Sequence, residues 1–181
     1  HDMYEIFCFV NGEEYGLLGS KAFMGEFKGF DNLLSRINFA INLEARGTSG
    51  TQIMFETSAD NYNTIKLFAE VNENLFTCST ATMIYDMMPN GTDFSNLKPY
   101  YQGVNIANIG EGENYHTPND SPENIRESCL SQQAQIVNNL IDKLANYDLD
   151  SLYEAKENAI FFSYLNIGDV VYNHAFSVVL A

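Results

Sequence analysis

Tryptophan is absent from the 181 residues, lysine and arginine together number nine, and there are only three cysteines and four prolines. Each shortage excludes something. Nine basic side chains against 24 acidic ones leave a formal charge of −15 and a sequence pI near 4.3. Nucleic acid and anionic lipid both need a basic surface, so neither is expected as a principal partner. The acidity does not exclude metals, for which carboxylates are hard ligands. Cys8, Cys78 and Cys129 are odd in number and form no Cys-x-x-Cys pair, which argues against a disulfide framework or a thiolate zinc site. Their apolar neighbours predict three buried free thiols. No run approaches the roughly 20 apolar residues that a membrane span requires. What is present is 45% apolar residues, with 13 Phe and 11 Tyr supplying bulk. A chain of this length suits one domain that buries about 70% of its unfolded surface, and intrinsic disorder is excluded.

Hydrophobic patterning predicts strands alternating with helices. Tyr4–Val10 reads as a buried strand, followed by a turn and a helix that begins between Tyr15 and Ser20 and frays before Gly29. Arg36–Glu44 and Gln102–Ile109 read as two more central strands, and Ile53–Glu56 as a short one. Asp60 is placed to cap a helix running to about Val71. Ser121-Pro122 offers a cap and a first-turn proline. A long helix to about Tyr147 follows, with Ile125, Cys129, Ile136, Val137, Leu140, Ile141 and Leu144 on one face. These elements predict an α/β fold, three layers α/β/α around a mixed sheet. Residues 1–147 form the main unit. Residues 148–181 form an apolar tail, read either as a buried strand with a terminal helix or as the start of a membrane-proximal segment. A chain that opens directly on a core strand reads as part of something longer.

Polar residues gather where such strands end. Glu13 and Glu14 follow the first strand, Glu44 closes the second, and His116 lies in the loop after the third. Ligands of open α/β sheets sit at the carboxyl ends of strands. Three glutamates and a histidine there form a candidate metal site. Adjacent Glu13 and Glu14 point different ways, so one can bind metal while the other faces water as a general base. Taken singly, each has a plainer reading: a solvated Glu–Glu turn, a structural carboxylate, an exposed loop histidine.

The local sequences narrow the choice. Asn11-Gly12-Glu13-Glu14-Tyr15-Gly16-Leu17-Leu18-Gly19-Ser20 resembles the D-G-E-E-x-G-L-x-G-S signature of the co-catalytic zinc aminopeptidases. Asn42-Leu43-Glu44-Ala45-Arg46-Gly47 is similar to that family's N-L-[DE]-x-x-G segment. Tyr115-His116-Thr117-Pro118-Asn119-Asp120 is similar to its H-T-x-x-D motif. The resemblance covers about Tyr4 to Tyr147. The Asn-Leu-Glu-Ala-Arg-Gly variant resembles the branch of vacuolar membrane proteases and endoplasmic-reticulum metallopeptidases, in which a peptidase domain precedes membrane spans.

The resemblance implies a zinc-dependent exopeptidase with two zinc ions, acting on the amino-terminal bond of peptides through a metal-activated water. Glu13 matches the general base. Glu14 and His116 match ligands of one zinc, and Glu44 the ligand of the other. Asp120 would at most sit behind the ligands, orienting the loop or a ring N–H, and a role in the approach to the following helix fits it equally. An apolar substrate pocket would draw on residues 79–115, with Met83, Met87, Met88, Tyr100 and Tyr115 as its wall. Asn11 departs from the usual Asp of the signature. Two further ligands of the family, a His-x-Asp segment and a bridging Asp, have no counterpart. His1 and His174 do not match them, His174 reading as structural. One zinc would then keep two protein ligands and the other one, against the three or four of a stable site. The expectation is the carboxy-terminal part of an enzyme, with zinc weak or absent and no turnover by itself. An exposed apolar side would join copies into a homo-oligomer. The implied location is the luminal or extracytoplasmic face of a membrane. The alternative is a non-catalytic, peptidase-like domain acting in protein binding.

Overall fold

In the computed structural model the residues described are 3–26, 31–71, 75–164, 168–173 and 176. His1 and His174 lie outside them.

A four-stranded sheet forms the centre. Its strands are β1 (Phe39–Ala45), β2 (Ser49–Thr57), β3 (Leu75–Thr77) and β4 (Gln102–Gly110), in the order β1-β4-β2-β3. β1 runs parallel to β4, β4 antiparallel to β2, and β2 parallel to β3. The sheet is therefore mixed. Around it lie α1 (Leu18–Lys21, continued by a π-turn over Ala22–Glu26), α2 (Asp31–Leu34), α3 (Tyr62–Ala69), α4 (Ser79–Asp86), α5 (Phe94–Leu97) and α6 (Glu127–Leu144). A hairpin of β5 (Ala159–Tyr164) and β6 (Gly168–Asn173) completes the chain's regular structure.

Period-two alternation explains the layers. Met54, Val104 and Ile106 point to one face, where they meet Ile65, Leu67 and Phe68 around α3 and Ile136, Leu140 and Leu144 of α6. Their neighbours Phe55 and Ala107 point to the other face and pack with Tyr85 of α4. A third cluster joins Ala40, Phe94 and Tyr101 beside α5. Helices thus cover both faces, the α/β arrangement that the patterning predicts. Leu152, Ala159 and Phe161 belong to the same core as α3 and α6, so the first part of the tail packs onto the main body.

Several expectations are corrected. Tyr4–Val10 forms no strand and pairs with none among the described residues, and Tyr4, Phe7 and Phe9 are exposed, Phe9 almost fully. Apolar, β-prone composition suits a strand only where a neighbour supplies ladder partners, and no described strand lies beside it. Cys8, carried on that segment, is exposed and Cys78 half-buried; only Cys129 is a buried thiol. Ser121-Pro122 opens a single 3-10 turn, Pro122–Asn124, and not the long helix. Ile125 and Arg126 are extended, because the Arg126 N–H donates to the Thr48 carbonyl at 2.9 Å and its guanidinium pairs with Glu111 at 2.8 Å. The long helix starts at Glu127 and ends at Leu144, with Cys129, Ile136, Leu140 and Leu144 buried. Asp60 sits at φ 54° and Asn61 takes the N-cap position of α3. β1 begins at Phe39, three residues later than expected. The tail carries two antiparallel strands, one more than expected, and the expected terminal helix falls mostly on residues outside those described.

Candidate metal centre

Parallel pairing brings two of the three motifs together. Glu44 of β1 is in register with Ala107 of β4, so both strands deliver their following loops to the same edge of the sheet. Those loops are tied to each other. Gly47 packs so closely on Gly110 that an added Cβ would lie 2.1 Å from its carbonyl oxygen. Thr48 Oγ1 donates to Glu111 at 2.9 Å and accepts from Asn114 Nδ2 at 2.8 Å. The second loop then turns tightly, with Thr117 N–H on the Asn114 carbonyl at 3.1 Å. His116 is held at φ 58°, a left-handed conformation costly for a residue with a Cβ.

The third motif arrives on a tight turn. Gly12 at φ 77° and Gly16 at φ 95° permit it, and the Glu13 carbonyl accepts from the N–H groups of Gly16 and Leu17 at 3.0 and 2.8 Å. Asn11, standing where the signature has Asp, accepts from the Gly12 N–H at 2.7 Å through its side-chain oxygen. Asn96 Nδ2 of α5 donates to Ser20 Oγ at 2.8 Å and docks the turn on the body.

At the meeting point, His116 Nε2 and Glu14 Oε1 are in direct contact. Both side chains are about half exposed. Tyr115 stacks on the His116 ring, with centroids 3.8 Å apart, and the Arg46 guanidinium lies 5.1 Å above the Tyr115 ring. Glu44 is more deeply placed. Burial pushes its carboxyl up to about 7; the hydrogen bond from Asn42 opposes this, and the charges of Glu13, Asp93 and Glu14 add to it. Burial and the charges of Glu14 and Asp93 likewise raise Glu13, against a lowering by His116. These mutual effects place Glu13, Glu14, Glu44 and Asp93 in one electrostatic neighbourhood around His116.

Asp93 is a further member, one that none of the three motifs contains. It is buried, and its Oδ1 has no hydrogen-bond partner among the described residues. No local pattern distinguishes it; only the packing of α5 against the turn brings it in. Asp120 stays outside. It is exposed, its backbone N–H closes a turn on the Thr117 carbonyl at 3.0 Å, and its carboxylate makes no contact with His116 among the described residues.

The donor types are those a divalent cation of the zinc type takes: carboxylate oxygens whose proton affinities burial and their neighbours raise, and one imidazole nitrogen. The set is partial. Among the described residues no group of three or more His, Cys, Asp or Glu is placed to hold a metal ion by itself.

An apolar cleft of about 390 Å³ lies between α4 and the sheet, lined by Arg46, Ile53, Phe55, Ile84, Tyr85 and Met88 among others. Of the expected wall only Met88 lines it. Met83, Met87 and Tyr100 are exposed elsewhere, and Tyr115 reaches the cleft only through Arg46. Among the described residues no helix is long and apolar enough to cross a membrane.

The fold is that of a zinc-exopeptidase-like α/β/α domain. An aminopeptidase from Aneurinibacillus sp. strain AM-1 superposes with a TM-score of 0.50 at 20% identity, over 73% of this chain and 31% of that one. The chain belongs to peptidase family M28, whose sequence model matches residues 6–141. Its relatives include human endoplasmic reticulum metallopeptidase 1, 25% identical over 92% of this chain, and the vacuolar membrane protease of Candida tropicalis, 28% identical over 89%. This chain spans 19% and 17% of those relatives.

Proposed function

We propose that this chain contributes one part of a two-zinc exopeptidase centre of the aminopeptidase type. The contact of Glu14 with His116 carries the reading. Two potential ligands 102 positions apart are brought together by a glycine turn and a strained histidine, neither of which the core requires. Glu14 and His116 would hold one zinc and Glu44 the other. Bound zinc would supply Lewis acidity toward the scissile carbonyl and lower the proton affinity of a water.

The chain's own residues do the rest. Glu13, adjacent to a ligand and with its proton affinity raised, takes a proton from water at its carboxylate and returns it to the leaving amine. Burial, followed by the charges of Glu14 and Asp93, raises its proton affinity and so favours its accepting that proton. Glu13 and Glu14 divide these tasks because consecutive side chains of one turn diverge. The apolar cleft under Arg46 is suited to an apolar substrate side chain. Stable zinc sites take three or four protein ligands. This set falls short, so the chain alone is expected to bind zinc weakly and to turn over no substrate. The names of its relatives support a place at the endoplasmic reticulum or the vacuolar membrane, and the luminal face is part of this proposal.

The test is a zinc titration of the 181-residue chain by competition with a chromophoric chelator, paired with assays on aminoacyl amides. Weak binding that Glu14→Gln and His116→Gln abolish, without turnover, supports the reading. Zinc affinity indifferent to both substitutions points instead to a non-catalytic domain that acts by protein binding.

A further inference from the structure

A line of polar side chains crosses the sheet from Glu44 to the opposite side of β4. Asn42 Nδ2 donates to Glu44 Oε1 at 2.9 Å and to Asn105 Oδ1 at 3.0 Å. Asn105 Nδ2 donates to Glu56 Oε2 at 2.8 Å and to Thr92 Oγ1 at 2.7 Å. Thr92 Oγ1 donates in turn to Glu56 Oε2 at 3.4 Å. Glu56 Oε1 pairs with Lys98 Nζ at 2.8 Å, and Lys98 also reaches Asp86 at 3.3 Å. Glu56 and Asn105 are essentially without solvent exposure.

Donor and acceptor bookkeeping gives this line a direction. A carboxylate paired with an ammonium only accepts, and Glu56 is paired with Lys98 at 2.8 Å. Asn105 must therefore turn its NH₂ toward Glu56, which leaves its carbonyl oxygen facing Asn42. Asn42 must answer with its own NH₂, and its second proton goes to Glu44. Reversing any one amide would set oxygen against oxygen in a buried place, where an unmade hydrogen bond is expensive.

The geometry points to Glu56 as a positioning residue for the metal centre: acting through Asn105 and Asn42, it pins Glu44 by one oxygen and leaves Oε2 to face the site. No described residue hydrogen-bonds Oε2. The core gives no reason for a buried carboxylate at position 56, since its strand neighbours Met54 and Phe55 fill the two faces with apolar side chains. A glutamate there makes sense as the fixed negative end that orients two amides. The inference rests on Glu44 being a ligand, as proposed above.

The test uses the whole 181-residue chain, labelled with ¹⁵N and ¹³C, without metal and at one pH. Two signals are read: the side-chain NH₂ pair of Asn42 and the carboxyl carbon of Glu44. Glu56→Gln touches neither residue, yet it is expected to move both signals. Asn105→Ala is expected to move the Glu44 carbon likewise, and the double variant to add nothing further. If Glu56→Gln fails to fold, Asn105→Ala carries the test through Glu44 alone. A Glu44 carbon at its original position in the folded variants, or additive shifts in the double one, overturns the relay. Zinc competition on the same samples separates this from the catalytic reading. A threefold or greater loss of affinity in Glu56→Gln supports both. A moved Glu44 signal with unchanged zinc affinity upholds the relay and removes Glu44 from the metal centre instead.

Discussion

Glu14 and His116 stand 102 positions apart, yet Oε1 of one meets Nε2 of the other. Glu13, next in sequence to Glu14, is half-buried and shares the electrostatic surroundings without making that contact. The two glutamates should therefore fail differently. Glu14→Gln and His116→Gln are each expected to weaken zinc binding by about tenfold or more, because each removes one of very few ligands. Glu13→Gln is expected to leave zinc affinity unchanged, as measured by chelator competition. Loss of zinc in Glu13→Gln would mean that the base and the ligand have been assigned the wrong way round.

The raised proton affinity of Glu44 makes stability depend on pH. Its folded value of about 7 lies above the ordinary 4.5, so between those values the folded chain holds a proton that the unfolded chain has released. The stabilisation is complete below about pH 4.5 and is lost as pH rises through 7. Its size is at most about 3 kcal/mol, reduced by the solvent that still reaches this partly exposed group. Denaturant unfolding at a series of pH values in chelator should show the decline, and Glu44→Gln should flatten it.

β1 and β4 lie close enough that Gly103 has no room for a side chain: a Cβ there would sit 2.1 Å from the Ala40 carbonyl oxygen. Backbone on both sides prevents an easy escape. Gly103→Ala should destabilise by about 1–3 kcal/mol, as overpacking does in a tight core. It should also weaken zinc binding, since the β1–β4 register places Glu44. A variant of unchanged melting temperature would show that the two strands can part without consequence.

Leu140 is fully buried on α6 against β2 and α3. Leu140→Ala should cost about 2–5 kcal/mol by thermal or urea unfolding, from lost transfer energy and the cavity left behind. A cost below about 1 kcal/mol would indicate that α6 is loosely docked.

Tyr4, Phe7 and Phe9 expose large apolar side chains on a segment that pairs with no strand among the described residues. We propose that copies of this chain associate through that segment, since exposed apolar edges favour pairing. The charge of −15 opposes association but is screened over about 8–10 Å at ordinary salt. Sedimentation at low micromolar concentration should show a dimer or larger species, reverted to monomer by changing all three residues to serine. A single monomeric species in the unaltered chain would rule the association out.

Local pattern sufficed wherever a residue's fate depended on its near neighbours. The apolar runs in Ile53–Glu56 and Gln102–Ile109 mark central strands buried on both faces, and the helical spacing of Ile136, Leu140 and Leu144 encodes the buried face of α6, because side-chain direction follows from the backbone period. The three motifs are legible for the same reason: each is a short turn with its own glycine or histidine, complete within a few residues. What no local pattern contains is the partner across space. Tyr4–Val10 has the composition of a strand and pairs with none among the described residues, because a strand is made by its neighbour. Ser121-Pro122 has the marks of a helix start, but the pull of Thr48 and Glu111 on Arg126 delays the helix to Glu127. Asp93, Asn105 and Glu56 acquire their relation to Glu44 only when β1, β2, β4 and α5 are assembled, since a buried polar group is defined by the donors and acceptors that surround it. The sequence alone determined which residues could do chemistry and which faces are apolar. The tertiary structure decided which of those residues meet, because contact between distant positions is set by strand order and register.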